Sequence, residues 1–370
     1  MSNLAEEQED CFPKGFTWGV ATSAYQIEGA AQIDGRTPSV WDSYCQCEDK
    51  IQNGDTGETA CDHYHRYLED VTHMSELGIP AYRFSISWPR IVPDASRSIN
   101  ELGLAFYDRL VDALLEAGIT HWVTLFHWDL PQYLEDRGGW VNREIVDDFS
   151  HYVQSVTRRL SDRVSRWITI NEPKCFLHFG HGKCTNALGR KLEISEQLLA
   201  AHHVLLAHGE ATKAIRATAA SKPLIGWAPV GVTYTPASPH EADIEAARQA
   251  TMHVDGETLW NNTWYNDPVF FGHYPEEGLA AYGNHVPDFA STDFEVISQP
   301  IDFLGLNIYT AERTRSDESG GWQEVPSPPG TPRTAMEWKV NEECLYWGTR
   351  FQAERYGVPI YITENGMANL

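Results

Sequence analysis

The sequence has few basic residues and no long run of apolar ones. Its 370 residues include 28 Lys and Arg against 52 Asp and Glu, which gives a formal charge of −24 at pH 7. A surface of that sign repels the phosphates of nucleic acids and of anionic lipids. No segment reaches the roughly 20 consecutive apolar residues that a membrane-spanning helix needs. We therefore expect neither a nucleic-acid nor a membrane partner.

The start of the chain lacks the apolar core of a signal peptide. Residues 1–11 are largely acidic and polar, and we predict that they form an N-terminal tail. Cysteine is also scarce: seven are scattered over the chain, an odd number that does not suggest a disulfide framework. Both features favour free thiols in a reducing compartment, so a cytoplasmic location is expected.

One run of cysteines and histidines leaves two interpretations open. Cys175, His178, His181 and Cys184 recur at every third position, and thiolates and imidazoles are common zinc ligands. Two glycines interrupt the run, however, and positions spaced by three drift around a helix axis. A loop with clustered thiol and imidazole groups is therefore favoured over a metal site.

Strand and helix patterns alternate along the remaining sequence. The strand patterns are short runs rich in β-branched and aromatic residues, and several of the amphipathic helix patterns end at a glycine. The predicted strands are 16–22, 81–86, 121–126, 166–170, 224–228, 301–307 and 359–364. The predicted helices are 62–77, 103–117, 144–160, 195–219, 241–260 and 342–356, and 315–334 is predicted to be a loop. This alternation is typical of a parallel α/β sheet, and no linker divides residues 12–370 into separate domains.

Polar side chains occur at or just after the ends of several predicted strands. The candidates are Gln26, His127, Glu172, Asn307, Tyr309 and Glu364, with Arg83 inside a strand. In an open doubly wound sheet the chemistry gathers at one switch point, whereas in a (β/α)8 TIM barrel every strand end faces one shared site. The spread of candidates favours the barrel, and no glycine-rich phosphate loop follows the first strand to support the alternative. The sequence supplies seven strands where such a barrel has eight.

Two of the predicted strands deliver a glutamate to their C-terminal ends. Glu172 closely follows the fourth strand, and Glu364 ends the last one. Two carboxyl groups across a barrel mouth suit glycoside hydrolysis, because one protonates the leaving oxygen while the other attacks the anomeric carbon. The 13 Trp and 16 Tyr serve either as core residues or as flat surfaces for sugar rings. For Trp128, Trp264 and Trp338 both interpretations remain open.

Five motifs, in the same order along the chain, resemble those of glycoside hydrolase family 1, the β-glucosidases and their relatives. They are residues 16–29, 82–90, 126–131, 169–173 and 362–366. Each motif is moderately specific, and their shared order leaves little room for coincidence. The resemblance runs from Phe12 to the last residue.

The resemblance implies a retaining β-glycosidase that removes terminal β-D-glycosyl residues and needs neither a cofactor nor a metal. It assigns Glu172 as the acid/base and Glu364 as the nucleophile. Tyr309 is expected to hydrogen-bond the nucleophile, and Arg83 to lie beside both carboxyl groups. An Arg and a Tyr hydroxyl would keep Glu364 ionised, while burial near another anion would raise the pKa of Glu172.

The resemblance also implies a set of residues around the sugar. Gln26, His127 and Asn171 are expected to bind its hydroxyl groups, with Asn307 and Trp128 in supporting positions. The partner is therefore expected to be a β-linked sugar substrate. Glucose, galactose, fucose and 6-phosphorylated sugars cannot be separated on these residues.

The sequence departs from the family pattern in two places. Family members continue beyond the motif at Glu364, so we expect this chain to lack the eighth strand, its flanking helices and a Trp-containing segment that grips the sugar. Three explanations are open: an incomplete sequence, a second chain or fragment that completes the barrel, or a barrel that folds alone as a catalytically impaired sugar-binding protein. Residues 175–190 also differ from the usual aromatic, glycine-rich loop, which leaves the aglycone preference open.

Overall fold

Seven parallel strands form the central sheet of the protein. The computed structural model describes residues 12–187 and 189–369, so the predicted tail at 1–11 lies outside the described residues. The strands of the sheet are β1 (Val20–Ala21), β2 (Ala81–Ser85), β3 (Thr120–Phe126), β4 (Arg166–Asn171), β5 (Leu224–Ala228), β7 (Phe303–Asn307) and β10 (Ile360–Glu364). They are paired in the order β1-β2-β3-β4-β5-β7-β10. This arrangement confirms the predicted barrel, with seven strands in the described residues.

Helices follow the strands and cover the outside of the sheet. Those before the fifth strand are α1 (Ala24–Ile27), α2 (Val40–Cys45), α3 (His63–Glu76), α4 (Trp88–Ile91), α5 (Glu101–Glu116), α6 (Gln132–Glu135), α7 (Ile145–Leu160), α8 (Pro173–Cys175) and α9 (Ile194–Thr218). The later ones are α10 (Glu241–Met252), α11 (Thr263–Phe271), α12 (Glu276–Tyr282), α13 (Ser291–Ile297) and α14 (Cys344–Tyr356). None of the helices in the described ranges is long and apolar enough to cross a membrane.

Two stretches differ from the sequence prediction. The helix predicted at 241–260 ends at Met252, because His253 adopts an extended backbone conformation. The predicted loop at 315–334 contains part of a hairpin in a separate rim sheet of order β6-β8-β9. Its strands are β6 (Tyr234–Pro236), β8 (Glu312–Ser316) and β9 (Trp322–Val325). The hairpin was missed because its strands are polar and only partly buried, without the apolar alternation that marks a buried strand.

The alternation of side chains in β2 shows how the sheet supplies both a core and a site. Tyr82 and Phe84 belong to the hydrophobic core. Arg83 lies between them in sequence and contacts side chains of β3 and β10 inside the barrel. Since successive side chains of a strand point to opposite faces, one strand can pack against helices and still line the barrel.

The two edge strands leave an apolar seam in the described part of the barrel. The exposed fractions are 39% for Val20 on β1 and 40% for both Tyr361 and Ile362 on β10. The Cα atoms of the two strands come within 8 Å of one another, but the described residues form no strand pairing between them. We call this opening between β1 and β10 the seam. The first strand is also shorter than predicted, since only Val20 and Ala21 pair with β2.

Candidate active site

The two glutamates predicted from the strand ends lie on the same rim of the barrel. Glu364 is the last residue of β10, and Glu172 directly follows β4. All seven strands run parallel, so their C-terminal ends meet at one mouth. Both strands also show a register shift just before the glutamate, between Ile168 and Asn171 and between Ile362 and Glu364. Such irregularities re-aim side chains next to active sites.

Glu364 is surrounded by donors that favour its ionised form. The Arg83 Nη1 atom donates to Glu364 Oε1 at 2.6 Å, and the Tyr309 hydroxyl donates to Glu364 Oε2 at 2.6 Å. Burial alone would raise the pKa of Glu364, but the positive charge of Arg83 and these hydrogen bonds outweigh it, so its pKa is lowered. Burial and the charge of Glu364 raise the pKa of Tyr309, which keeps its hydroxyl protonated as a donor. Glu364 is therefore a carboxylate at neutral pH.

Glu172 has the opposite electrostatic environment. Its side chain is buried, and burial followed by the negative charge of Glu364 raises its pKa to about 7. The Asn307 Nδ2 atom donates to Glu172 Oε1 at 2.7 Å and orients the carboxyl group. The backbone of Glu172 has φ 44° and ψ 61°, a left-handed conformation that is uncommon outside glycine and occurs often at functional sites. The two carboxyl groups thus have pKa values pushed in opposite directions.

Asn171 links the hydrogen bonds around Glu364 to those around Glu172. Its Oδ1 atom accepts from Arg83 Nη2 at 2.6 Å and from Asn307 Nδ2 at 3.0 Å. These two donors fix the orientation of the Asn171 amide, so its Nδ2 atom donates to His127 Nε2 at 3.1 Å. The side chain of Asn307 bridges Asn171 and Glu172, while its Oδ1 atom accepts from Thr363 Oγ1 at 2.7 Å. A change at any one of these residues therefore propagates to both glutamates.

His127 joins the site through its hydrogen bond with Asn171. Burial lowers its pKa to about 4, so the imidazole is neutral at neutral pH. Because Nε2 accepts from Asn171, the ring proton is assigned to Nδ1. Nδ1 has no hydrogen-bond partner within the described residues. His127 is therefore a neutral, buried imidazole that is held at the site by Asn171.

Gln26 and the aromatic candidates occupy different environments. Gln26 is exposed and accepts a hydrogen bond from Ser23 Oγ at 2.8 Å, and it makes no hydrogen bond to the other predicted site residues in the described ranges. Trp128 donates from Nε1 to the Asn171 carbonyl at 3.1 Å. Trp338 is 39% exposed, and its ring centroid lies 5.4 Å from that of Tyr309. Trp128 and Trp338 thus contact residues of the site.

Two tryptophans change the sequence-based picture. Trp264 is 0% exposed and stacks on Tyr274 with a centroid distance of 3.9 Å, so it is a core residue rather than part of a subsite. Trp41 was not among the predicted site residues, yet its ring stacks on Trp128 with a centroid distance of 6.5 Å and an interplanar angle of 22°. Trp41 lies in a polar stretch that resembles a surface loop, and the sequence carried no signal for its contact with Trp128.

The run of cysteines and histidines forms a turn rather than a ligand set. Residues Phe176–Gly182 form a single π-helical segment. Burial lowers the pKa of His178 and of His181 to about 4 each, and His181 Nδ1 contacts the Arg190 carbonyl at 3.2 Å. Among the described residues, no group of three or more His, Cys, Asp or Glu is placed to hold a metal ion.

Comparison with known proteins identifies relatives over nearly the whole chain. The profile of the family described as glycosyl hydrolase family 1 matches residues 8–370. β-Glucosidase A of Thermotoga maritima is 41% identical over 363 residues, which cover 96% of this chain and 78% of that protein. A 1,4-β-D-glucan glucohydrolase of Thermotoga neapolitana is 40% identical over 363 residues, covering 96% of this chain and 82% of that protein.

Solved structures agree with these sequence matches. The β-glucosidase of Thermotoga maritima in complex with glucoimidazole superposes with a TM-score of 0.86 at 41% identity, covering 96% of this chain and 79% of that one. The same enzyme in complex with deoxynojirimycin gives a TM-score of 0.86 at 40% identity, with coverage of 96% and 79%. The family profile, the sequence relatives and the shared fold lead to one conclusion: this chain belongs to glycosyl hydrolase family 1.

Proposed function

We propose that the protein is a retaining β-glucosidase that removes terminal β-D-glucosyl residues from oligosaccharides or from aryl and alkyl glycosides. The observation that carries this proposal is the pair of barrel-mouth carboxyl groups with opposite pKa shifts, Glu172 raised and Glu364 lowered. Relatives named β-glucosidase and 1,4-β-D-glucan glucohydrolase support a β-linked glucoside as substrate. One solved relative, the β-glucosidase of Thermotoga maritima, is in complex with glucoimidazole in one structure and with deoxynojirimycin in another, which supports a sugar-binding site at this mouth.

In the first step Glu364 attacks and Glu172 donates a proton. The Glu364 carboxylate forms a covalent bond to the anomeric carbon as the bond from that carbon to the leaving oxygen breaks. The protonated Glu172 carboxyl gives its proton to the leaving oxygen, so the aglycone departs as a neutral alcohol or phenol. Glu364 is ionised at neutral pH, and Glu172, whose pKa is about 7, carries its proton in a growing share of molecules as the pH falls below 7.

In the second step Glu172 acts as a base. Now ionised, it removes a proton from a water molecule, whose oxygen attacks the anomeric carbon and releases Glu364. Two displacements at one carbon give a product with the β configuration of the substrate. Departure of the nucleophile is easiest when its charge is stabilised, and Arg83 and Tyr309 supply that stabilisation through their hydrogen bonds to Glu364.

The neighbouring residues are proposed to position the sugar and the two carboxyl groups. Asn171, His127 and the exposed Gln26 side chain would bind sugar hydroxyls. Asn307 holds Glu172 through its hydrogen bond, which is a supporting role. Trp128 supports Asn171 by donating to its carbonyl oxygen.

Hydrolysis of 4-nitrophenyl β-D-glucoside by the purified chain, followed by proton NMR of the product, tests the proposal. We expect β-glucose to appear first and α-glucose only later, by mutarotation. Initial release of α-glucose would contradict a retaining mechanism. Binding of deoxynojirimycin without turnover would instead favour the catalytically impaired sugar-binding barrel. If an added fragment restored turnover, a second chain that completes the barrel would be favoured, although the comparisons give no support for one.

The opposite pKa shifts predict the pH dependence of the reaction. Activity needs Glu364 ionised and Glu172 protonated, so kcat/KM falls at low pH as Glu364 takes up a proton and at high pH as Glu172 loses one. The acidic limb is expected below the usual pKa of a glutamate, and the alkaline limb at about pH 7. Initial rates between pH 3 and pH 9 measure both limbs. A profile that keeps rising above pH 8 would rule out Glu172 as the proton donor.

The Glu172→Gln variant should separate substrates by their leaving groups. Without a proton donor, cleavage of cellobiose is expected to fall by about 10²–10⁴-fold. A dinitrophenyl glucoside needs little protonation, so it should still form the glycosyl-enzyme and release about one equivalent of phenolate in a rapid burst. Stopped-flow absorbance checks this. Equal losses of activity towards both substrates would contradict the assignment of Glu172 as the proton donor. The control is Glu257→Gln, a change at an exposed glutamate, which is expected to behave as wild type.

The proposed location is the cytoplasm. The six cysteines of the described ranges are all free thiols, which agrees with a reducing compartment. Fractionation of the native host with an antibody against the chain tests this proposal, and recovery outside the cytoplasmic fraction would overturn it.

A further inference from the structure

Two residues at the barrel mouth have a left-handed backbone, and a hydrogen bond links the segments that carry them. Trp128 follows His127 and has φ 73°, and Glu172 has φ 44°. Such angles are uncommon for residues other than glycine and persist where the surrounding structure holds them in place. The Trp128 Nε1 atom donates to the carbonyl oxygen of Asn171 at 3.1 Å. That carbonyl belongs to the peptide group that leads directly into Glu172.

The peptide group between Asn171 and Glu172 is held on both sides. Its oxygen accepts from Trp128, and its N–H donates to the Ala228 carbonyl at 2.8 Å. Because a peptide group is planar, these two hydrogen bonds fix its orientation. The carbonyl of Glu172 itself accepts from the Cys175 N–H at 3.0 Å, which fixes the next peptide group. The direction in which the Glu172 side chain leaves the backbone is therefore set by these bonds.

The Glu172 side chain is thus held at two points. Asn307 Nδ2 donates to Glu172 Oε1 at 2.7 Å and holds the end of the side chain, whereas the bond from Trp128 acts at its root. A proton donor is effective only within hydrogen-bond reach of the atom that receives the proton. A small displacement at the root moves the carboxyl group away from that position, even when its end keeps a partner.

Trp41 holds the Trp128 ring from the other side of the mouth. The two rings stack with a centroid distance of 6.5 Å and an interplanar angle of 22°. Trp41 lies in α2, whose first turn is closed by a capping box. The Val40 N–H donates to the Leu130 carbonyl at 2.8 Å, which ties α2 to the segment that follows Trp128. The backbone therefore fixes the two rings relative to each other.

We propose that Trp128 is a positioning residue for Glu172 and that Trp41 positions Trp128. The proposal rests on the assignment of Glu172 as the proton donor, which belongs to the proposed function. Its consequence is selective. Loss of the indole N–H weakens proton donation to the leaving oxygen but leaves attack by Glu364 in place, because the hydrogen bonds to the Glu364 carboxylate come from other residues.

Three variants and two substrates test this selectivity. W128F removes the indole N–H and keeps an aromatic ring against Trp41, whereas W41A removes the stacked ring and W41F retains one. Cellobiose has a leaving group that needs a proton, and dinitrophenyl glucoside has one that does not. Since complete proton transfer contributes about 10²–10⁴-fold, we expect the ratio of kcat/KM for cellobiose to that for dinitrophenyl glucoside to fall about 10-fold in W128F. It should fall less in W41A and stay at the wild-type value in W41F.

The control variant is W18F, at an exposed tryptophan that precedes β1. Its ratio should match wild type. Equal losses of activity towards both substrates in W128F would overturn the proposal, because a lost sugar contact or a damaged fold lowers both reactions alike. An unchanged ratio in W41A would overturn the role of Trp41. Circular dichroism checks the fold of each variant, and if W128F does not fold, the comparison of W41A with W41F decides.

Hydrogen exchange of the Glu172 amide gives a test that does not depend on turnover. This amide donates to Ala228 and exchanges when its peptide group comes loose. Its signal, assigned in glutamate-labelled protein by comparison with Glu172→Gln, is followed in wild type, W128F and W18F without substrate. We expect exchange about 10-fold faster in W128F, the effect of losing one hydrogen bond, and no change in W18F. That result would support the proposal even if the chain hydrolyses no glucoside, and equal rates in W128F and wild type would overturn it.

Discussion

Replacing Glu364 with alanine is expected to lower the turnover of 4-nitrophenyl β-D-glucoside on the order of 10⁴-fold or more. Removal of a nucleophile eliminates the covalent route, and the remaining groups at the mouth cannot replace it. The variant keeps Glu172 and its hydrogen bond from Asn307, so the proposed proton donor is still in place. Steady-state rates at pH 6 measure the loss.

The cavity left by this substitution offers a sharper diagnosis. A small anion such as azide can enter the space of the missing carboxylate and attack the anomeric carbon of a substrate with a good leaving group. We expect azide to restore part of the rate and to give the α-glucosyl azide, because only one displacement now occurs. Formation of the β-azide would assign the nucleophile to a different residue. Glu318→Ala, at an exposed glutamate near the rim hairpin, is expected to retain full activity and to be unaffected by azide.

Replacing Arg83 with methionine should have the second largest effect, because it changes both activity and stability. The guanidinium group is buried and donates to Glu364 Oε1, to the Thr363 carbonyl and to Asn171 Oδ1 at 2.6, 3.1 and 2.6 Å. Its Nε atom also donates to Thr124 Oγ1 at 2.9 Å. Breaking a buried ion pair on one side costs about 3–5 kcal/mol of stability, since an uncompensated charge remains.

The pH profile distinguishes this electrostatic role from simple loss of packing. Glu364 without Arg83 retains the burial that raises its pKa and loses the charge that lowers it. The acidic limb of kcat/KM is therefore expected to move to higher pH, with a loss of about 10²-fold or more at the optimum. Urea unfolding and rate profiles of Arg83→Met, Arg83→Lys and the exposed-site control Arg109→Met measure both effects.

The lysine variant shows what the shape of the guanidinium group contributes. An ammonium keeps the charge near Glu364 but cannot donate to Thr124, Asn171 and Glu364 from one planar fork. We expect an acidic limb close to wild type together with reduced turnover, because the Asn171 amide loses a donor that fixes its orientation. An acidic limb that stays in place in the methionine variant would contradict the electrostatic explanation.

The strands and the two glutamates were predictable because their residue patterns are local. β4 and β10 are short runs of β-branched and aromatic residues that deliver Glu172 and Glu364 to the rim, and such runs have few other stable arrangements in a large α/β protein. The roles expected for Tyr309 and Arg83 came from the family resemblance, and the hydrogen bonds of both to Glu364 are consistent with them.

Other features depend on contacts between distant segments and could not be predicted. The stacking of Trp41 on Trp128 joins positions 87 residues apart and depends on where the short helix α2 lies in the fold. The proton position on His127 depends on how Asn171 is held by Arg83 and Asn307. Lys174 looks like an ordinary exposed lysine in sequence, and only its burial against Asn262 shows otherwise.

Because of the seam, the strands that carry the two glutamates differ in their number of paired neighbours. Glu172 follows a strand with partners on both sides, whereas Glu364 ends an edge strand that pairs only with β7 in the described part of the chain. Segments with fewer backbone partners open locally at lower free energy than the whole fold. On heating, catalysis is therefore expected to fail several degrees before helical ellipticity is lost, and to recover on cooling from that interval. Parallel thermal curves of activity and circular dichroism would reveal the gap, and coincident curves would show that the nucleophile is held as firmly as the rest of the barrel.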